Sequence, residues 1–241
     1  MNYETVAERI CKFIKEQVED KVAVVGISGG IDSALIATLC VKALGKEKVW
    51  GLVMPYGDLD QNAKDAIELA DTLKIKHSVL NIKGVVEAFE KNGALGTMFG
   101  DKVVKGNLMA RLRMCCLYAV ANKEGGLVVG TTNRTEAEVG YYTKYGDGGV
   151  DIEPIIDLYK TDVWAMAKHL GVAEKFITKD PTAGLWGGQT DEGELGVSYK
   201  DLDCWLRTKI GKFQLEAKVN KLVKDSEHKR HMPRGCKLNE V

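Results

Sequence analysis

The chain has 241 residues, of which 45% are hydrophobic and 28% are charged, enough for one large α/β domain or two small ones. Its 34 basic and 34 acidic residues cancel, so it lacks the basic surplus that is typical of nucleic-acid-binding proteins. No apolar run approaches the roughly 18 residues that a membrane span requires, and the N-terminal residues do not form a signal peptide. Six cysteines without a C-x-x-C pair are typical of reduced thiols. We therefore expect a cytoplasmic protein with no membrane or nucleic-acid partner.

Helical and strand patterns alternate along the first half of the chain. Residues 3–18 carry apolar side chains at helical spacing, and residues 22–27 form a short β-branched run that is typical of a buried strand. The two patterns then repeat, in chain order, as a helix at 33–44, a strand at 49–54, a helix at 61–73, a strand at 77–82, a helix at 107–123 and a strand at 127–130. Residues 83–106 predict a helix near 85–91 and then a mobile loop.

This alternation predicts an α/β fold, a doubly wound parallel sheet with flanking helices and right-handed crossovers. After residue 140 the pattern changes to helices at 159–170 and 198–225, separated by glycine-rich loops. No internal repeat or low-complexity linker divides the chain. We therefore expect a single domain over residues 1–241.

The segment SGGIDS, residues 28–33, stands at the carboxyl end of the first predicted strand, where ligands bind in parallel sheets. Two adjacent glycines let backbone N–H groups turn towards one point, and the N-terminus of the following helix favours an anion. Asp32 places a negative charge in this anion-binding loop, which is unfavourable unless a cation binds there too. A Mg²⁺ ion that bridges Asp32 and the phosphates would remove this repulsion. The patterns G-x-x-x-x-G-K-[ST] and G-x-G-x-x-G are absent, so this is neither a Walker A loop nor a dinucleotide fingerprint.

SGGIDS resembles the signature of the N-type ATP pyrophosphatases, which cleave ATP to AMP and pyrophosphate. Further stretches narrow the resemblance: GNLMARLRM (106–114), LVVGTTNRTEAEVGYYTKYGDGGVDIEPIIDLYKTDVW (127–164), PTAGLWGGQTDEGELGVSYKDLD (181–203) and EHKRHMP (227–233). In this order they resemble the ammonia-dependent NAD synthetases over essentially the whole chain. Members of that family activate the nicotinate carboxylate of deamido-NAD⁺ with ATP and then aminate it, because an adenylate is a far better leaving group than oxide.

The resemblance implies that the chain takes ATP as co-substrate and Mg²⁺ as cofactor. The ATP site would comprise Gly26, Ile27, Ser28, Gly29, Gly30, Ile31, Asp32, Ser33, Ala34, Thr131, Lys160 and Thr182. The resemblance also implies that Asp32 and Glu136 hold the metal, and that Lys160 is catalytic. From the residues alone, a lysine such as Lys160 near the start of a helix is more often solvent-exposed than functional. Thr132 or Thr135 could likewise serve only to cap a helix.

Deamido-NAD⁺ would contact Arg111, Lys144, Asp151, His228 and Lys229. We hypothesise that Asp151 is also catalytic and orients ammonia near the nicotinate, with an Asx-type turn as the structural alternative. Arg111 and Arg113 are two residues apart on a helix and cannot share a face, so one is expected on substrate and the other on a structural acid. By composition, the cluster at residues 228–231 is more typical of a solvated tail.

Three further expectations follow from the resemblance. Only about 20 residues precede the first strand, which leaves no room for a glutaminase domain and points to free ammonia as the nitrogen donor, although a separate glutaminase partner remains open. The family expectation is a homodimer with substrate sites near the interface, which the helix at 107–123 could bury. Met109 replaces the basic residue that is usual in the family, a change expected to affect a surface contact.

Two other functions compete with this one. A tRNA-modifying pyrophosphatase would need a basic surface and, for sulfur transfer, reactive cysteines, and the zero net charge counts against it. A catalytically silent nucleotide-binding protein would keep the fold without the chemistry. The presence of Asp32, Glu136, Lys160 and Thr182 counts against that alternative.

Overall fold

A four-stranded parallel sheet lies at the centre of the computed structural model, which describes residues 1–93, 96–233 and 235–236. Its strands are β1 (Ala23–Gly26), β2 (Val49–Val53), β3 (Lys76–Val79) and β4 (Leu127–Val129). They are ordered β3-β2-β1-β4, with every neighbouring pair parallel. Since the winding direction reverses between β1 and β4, a crevice opens at the carboxyl ends of these two strands.

Helices surround this sheet. Within the described residues the α-helices are α1 (Tyr3–Val18), α2 (Ile31–Leu44), α3 (Gln61–Leu73), α4 (Lys83–Glu90), α5 (Lys102–Glu124), α6 (Arg134–Val139), α7 (Lys160–His169), α8 (Glu174–Thr178), α9 (Asp191–Leu195), α10 (Tyr199–Thr208) and α11 (Phe213–Asp225). Several begin at a side-chain cap, as Asn2, Asp60 and Asp101 do for α1, α3 and α5. In this part of the chain, no helix combines the length and apolarity needed to cross a membrane.

Two hydrophobic layers enclose the sheet. On one face, α1, α2, α3 and α7 pack on the strands through residues such as Leu35 and Met166. On the opposite face, α4 and α5 pack through Val86 and Met109. Both faces are therefore covered, and the expected doubly wound parallel sheet with flanking helices is confirmed.

A third hydrophobic cluster joins the C-terminal helices to α6 and α7. It contains Val139 of α6, Leu202, Trp205 and Leu206 of α10, and Val219 of α11. Through this cluster α10 packs against both α6 and α7. The third cluster therefore links the C-terminal helices to α6 and α7, the two helices that carry Glu136 and Lys160.

The predicted elements are present with shifted boundaries. α1 and α3 begin and end where the sequence predicts. α2 begins two residues early, at Ile31, so Asp32 and Ser33 lie in its first turn. β3 is shorter than predicted, and β1, β2 and β4 each differ by one or two residues at their ends.

The prediction for residues 83–106 was wrong in its second half. A 3-10 helix spans Gly96–Gly100, and α5 begins at Lys102 because the Asp101 carboxylate accepts hydrogen bonds from the N–H groups of Val103 and Val104 at 2.7 and 3.3 Å. The remainder of the predicted mobile loop, residues 94 and 95, lies outside the described residues. Met109 is 2% exposed and packs in the core, so the surface position expected for it was also wrong.

The predicted helix at 198–225 is two helices. Lys209 adopts a left-handed conformation, with φ of 58°, and ends α10 before α11 begins. The sequence analysis also missed α6, α8 and α9, which have six, five and five residues. Helices this short carry too little periodicity to be detected.

Candidate active site

A cavity of about 830 Å³ opens at the crevice between the carboxyl ends of β1 and β4. The residues predicted for ATP that line it are Gly26, Ile27, Ser28, Gly30, Ile31, Asp32, Ser33, Thr131, Lys160 and Thr182. Glu136, predicted to bind the metal, lines it as well. Of the other two ATP residues, Ala34 is fully buried in the core and Gly29 packs against α3.

Hydrogen bonds of its own two serines fix the conformation of the SGGIDS loop. Ser33 Oγ accepts from the Ser28 N–H at 3.2 Å and donates to the Gly30 carbonyl at 3.0 Å. Gly29 has φ of +81°, and a Cβ at this position would lie 2.2 Å from the backbone oxygen of Asn62. Only glycine fits there, so the loop approaches α3 closely and keeps the N-terminus of α2 facing the cavity.

Lys160 lies between two acids in this cavity. Its Nζ is 2.5 Å from Asp32 Oδ2 and 3.2 Å from Glu136 Oε1. The three side chains come from the first turns of α2, α6 and α7, and that of Lys160 is only 2% exposed. Asp32 requires a positive charge beside it within this anion-binding loop, and in this structure the Lys160 ammonium group supplies that charge.

The charges of this group are strongly coupled. Burial raises the pKa of Glu136, the neighbouring Asp32 raises it further, and the Lys160 ammonium opposes both effects. Burial favours neutral Lys160, but the attraction of Asp32 and Glu136 outweighs it and raises the pKa of the ammonium group. Lys160 therefore stays charged, and Glu136 holds a proton more tightly than an ordinary carboxyl group.

Asn133 was missed by the sequence analysis. It caps α6, since its Oδ1 accepts from the Glu136 N–H at 3.0 Å, and its Nδ2 donates to Asp32 Oδ1 at 2.9 Å. Glu136 Oε2 accepts from the Asn133 N–H in return, at 3.3 Å, which completes a capping box. The cap of this helix is therefore Asn133, and not Thr132 or Thr135 as considered above. The sequence signal was the N-x-x-E spacing of TTNRTE.

The donor set fits Mg²⁺. Asp32 and Glu136 project from the first turns of two different helices onto one position, and Lys160 shows that a cation is stabilised there. Among the described residues no group of three His, Cys, Asp or Glu could form an all-protein metal centre. Magnesium is commonly held by one or two carboxylates, with water and substrate phosphates completing its shell.

Most of the predicted substrate residues come together beside the main cavity. Arg111 Nε donates to the Lys144 carbonyl at 3.3 Å, and Lys144 Nζ donates to the His228 carbonyl at 2.5 Å. Lys229 Nζ donates to the carbonyls of Gly140 and Tyr142 at 2.7 and 2.6 Å. Lys144 and His228 line a second cavity of about 370 Å³, whereas Lys229 lines the main one.

Arg113 contacts a backbone carbonyl and not the structural acid that was expected. Its Nε donates to the Met54 carbonyl at 3.0 Å. This contact anchors α5 at the carboxyl end of β2, where Met54 follows the strand. Arg113 also lines the main cavity, so this anchor lies beside the ATP residues.

Asp151 lies apart from the other substrate residues. Its two carboxylate oxygens accept from the Val128 N–H at 2.8 Å and from the Tyr118 hydroxyl at 3.1 Å. A second acid of the same loop, Asp147, lines the main cavity and accepts from the Thr143 N–H at 2.9 Å. Sequence reasoning missed Asp147, although KYGDGGVD contains both acids.

These features define an α/β protein with a cavity suited to a nucleoside triphosphate at the switch point of a parallel sheet. Comparison with known proteins identifies the family. The family model described as NAD synthase matches residues 6–233. A curated relative, the NH(3)-dependent NAD(+) synthetase of Pyrococcus horikoshii, is 49% identical over 100% of this chain and 97% of its own length. The chain belongs to the NAD synthase family.

Two solved structures are also similar. The NMN synthetase of Francisella tularensis aligns with a TM-score of 0.91 at 36% identity, covering 98% of this chain and 99% of that one. The NH3-dependent NAD synthetase of Campylobacter jejuni aligns with a TM-score of 0.81 at 35% identity, covering 98% and 100%. Both alignments extend over nearly the entire fold.

Proposed function

We propose that the chain is an NH3-dependent NAD⁺ synthetase, a ligase that amidates deamido-NAD⁺ with ATP and ammonia. The observation that carries the proposal is the convergence of Asp32, Glu136 and Lys160 at the SGGIDS loop, in a chain of the NAD synthase family. ATP would bind with its phosphates on that loop. The products are NAD⁺, AMP and pyrophosphate.

The residues suggest how the first step proceeds. The nicotinate carboxylate attacks the α-phosphorus of ATP, an adenylate forms, and pyrophosphate leaves. Lys160, desolvated and charged, supplies electrostatic stabilisation to the departing pyrophosphate. Thr131, which follows β4, and Thr182, which follows α8, both line the cavity and offer hydroxyl groups to the nucleotide. Mg²⁺, when bound by Asp32 and Glu136, neutralises phosphate charge.

In the second step ammonia attacks the adenylate carbonyl, the amide forms, and AMP leaves with the bonding electrons. The attacking nitrogen must lose one proton, and a carboxylate near the cavity can accept it. Asp147 is among the residues that line the cavity, whereas Asp151 is not, and both Asp151 oxygens are engaged by Val128 and Tyr118. We therefore extend the role hypothesised for Asp151 to Asp147, with Asp151 holding the loop that carries both.

A coupled product assay tests this function. Purified protein is mixed with deamido-NAD⁺, ATP and Mg²⁺, and receives either ammonium or glutamine. We expect NAD⁺, AMP and pyrophosphate in equal amounts with ammonium and hardly any with glutamine. Failure with both donors contradicts the proposal, and ATP–pyrophosphate exchange then shows whether adenylation survives with another acceptor.

A second candidate substrate is favoured by one observation. The F. tularensis NMN synthetase aligns better than the C. jejuni NAD synthetase, with TM-scores of 0.91 and 0.81. The same assay with nicotinate mononucleotide in place of deamido-NAD⁺ compares kcat/KM for the two acceptors. We expect the dinucleotide to be preferred, because the basic residues occupy two adjoining cavities. A preference for the mononucleotide identifies an NMN synthetase.

We also propose that two copies of the chain associate and that the protein acts in the cytoplasm. In support of a dimer, α5 has 23 residues rich in Leu, Met, Cys and Tyr, yet buries only Gly106, Met109, Ala110 and Ala121 within one chain. In support of a reducing compartment, each of the six cysteines is free. We further propose that residues 1–241 form one domain that uses free ammonia.

A further inference from the structure

Asp203 is a buried acid that lies outside the cavity. It is 2% exposed and sits on α10, in the C-terminal part of the chain. Its Oδ1 accepts a hydrogen bond from Thr135 Oγ1 at 2.5 Å, and its Oδ2 accepts from the Thr161 N–H at 2.8 Å. Both carboxylate oxygens are therefore engaged, one with α6 and one with α7.

The partners of Asp203 are the neighbours of two site residues. Thr135 precedes Glu136 in the first turn of α6, and Thr161 follows Lys160 in the first turn of α7. Thr135 Oγ1 also accepts from the Lys160 N–H at 2.9 Å, so its hydroxyl connects the two helices directly. One carboxylate and one hydroxyl thus fix the relative position of both helix starts.

The helix that carries Asp203 is itself rigidly held. Leu202, Trp205 and Leu206 pack in the third hydrophobic cluster. A second connection to α7 comes from Arg207, whose Nη2 lies 2.5 Å from Asp162 Oδ2. The carboxylate of Asp203 is therefore held in a fixed position relative to α6 and α7.

We propose that Asp203 is a positioning residue that sets the separation of Glu136 and Lys160 in the ATP–metal site. This inference rests on the proposed function, since it concerns the same site. Asp203 acts through Thr135 and Thr161 and does not touch the substrate. Its effect is to hold Lys160 Nζ between Asp32 and Glu136, where small displacements alter the stabilisation of phosphate charge.

The geometry requires a carboxylate at this position. An asparagine offers one acceptor oxygen and one amino group. With its oxygen towards Thr135, the amino group meets the Thr161 N–H, and two donors face each other. With its oxygen towards Thr161, the amino group faces the Thr135 hydroxyl, whose own proton then loses the acceptor that Asp203 Oδ1 provides. Either arrangement leaves a buried group unpaired and shifts a helix start.

The experiment compares Asp203→Asn with Asp201→Asn, an exposed acid on the same helix. Thr135→Val and Thr135→Ser form a second pair, which removes or keeps the hydroxyl. Circular dichroism establishes that each variant is folded. The readouts are the rise in Tm as Mg²⁺ and ATP are titrated together, and kcat and KM for deamido-NAD⁺.

We expect Asp203→Asn and Thr135→Val each to raise the Mg²⁺–ATP concentration needed for half of the Tm rise, and to lower kcat, on the order of 10- to 100-fold. KM for deamido-NAD⁺ should change little. Thr135→Ser and Asp201→Asn should match the wild type. The double variant should be no worse than either single one, because both break the same connection.

Folded Asp203→Asn or Thr135→Val protein that binds Mg²⁺–ATP and turns over like the wild type overturns the inference. If Asp203→Asn does not fold, the Thr135 pair decides. Failure of the proposed function is separate, since it would appear as a wild type without turnover. The Mg²⁺–ATP titration of Tm would still decide the role of Asp203 in that case.

Discussion

Asp32 is the residue on which the charge balance of the site depends most directly. Its Oδ2 contacts the Lys160 ammonium, and its Oδ1 accepts from Asn133. Both partners are donors, so both oxygens must be acceptors. A neutral amide of the same shape would direct its amino group at one of these donors.

We predict that Asp32→Asn keeps the fold and lowers kcat by roughly 10² to 10³, the usual cost of losing a preorganised electrostatic contact. The loss arises because the variant neither holds the metal nor orients Lys160. Steady-state kinetics with ammonium measures it, with the exposed Asp58→Asn as the matched control. Normal turnover by Asp32→Asn would contradict the site described above.

The environment of Glu153 makes the free energy of unfolding depend on pH. Its Oε2 accepts from the Thr132 N–H at 3.1 Å, and burial raises its pKa to about 8 from an ordinary value of 4.5. Between these two values the folded protein keeps a proton that the unfolded chain has released. The free energy of unfolding must therefore fall as pH rises through this window.

We predict that Glu153→Gln flattens this pH dependence. The amide oxygen can still accept from Thr132, and the uncharged side chain suits a buried position. Urea denaturation at pH 5.5 and pH 8 provides the measurement, with exposed Glu8→Gln as the control. The variant should gain stability relative to the wild type at pH 8 and little at pH 5.5. An identical slope in both proteins would contradict the prediction.

Between elements, Lys179 connects the segment after α8 to the SGGIDS loop. Its Nζ donates to the Gly29 carbonyl at 3.1 Å and to Asn62 Oδ1 at 3.0 Å, and it pairs with the Asp65 carboxylate. Burial opposes ionisation of Asp65, but hydrogen bonds from Lys179, Gln61 and Lys175 outweigh it and lower its pKa to about 2. The same segment carries Thr182 to the cavity.

We predict that Lys179→Met lowers the free energy of unfolding by about 1–3 kcal/mol, because it leaves buried acceptors without a donor. KM for ATP should rise more than KM for deamido-NAD⁺, since the contact supports the phosphate loop. Urea denaturation and substrate titrations measure the two effects. The exposed Lys168→Met serves as control, and Lys179→Arg should restore part of the ATP affinity. An equal rise in both KM values would contradict this assignment.

At the scale of the whole molecule, α4 and α5 expose several apolar side chains. Val85, Phe89, Val103 and Val104 are 50%, 37%, 55% and 41% exposed. Large apolar side chains exposed together mark interaction surfaces. We therefore propose this surface as the contact with a second copy.

We predict a solution mass near twice the 26.5 kDa of one chain. Light scattering across the micromolar range measures it. Val104→Glu should shift the population towards monomer by placing a charge in the apolar contact, whereas Phe213→Glu, on α11, should not. A monomeric wild type would contradict the prediction, and so would a Val104→Glu protein as dimeric as the wild type.

The alternation of strands and helices could be predicted from the sequence alone, because helical spacing and short β-branched runs are local properties. It also determined the SGGIDS loop, because only glycine tolerates the conformation and the contact of Gly29. Resemblance in ordered motifs named the family before any geometry was known. The resemblance also predicted Lys160 and Glu136 as site residues. The residues adjacent to Lys160 in the sequence would not by themselves distinguish it from a solvent-exposed lysine.

Which of these residues meet could not be predicted from the sequence and becomes apparent only in the folded chain. That Lys160 is buried between Asp32 and Glu136 depends on three helix starts brought together across more than 100 residues of sequence. The roles of Asn133, Asp147 and Asp203 depend on the same long-range packing, as does the burial of Met109. Contacts between distant segments leave no periodic trace in either segment, so their energetics become visible only in the folded chain.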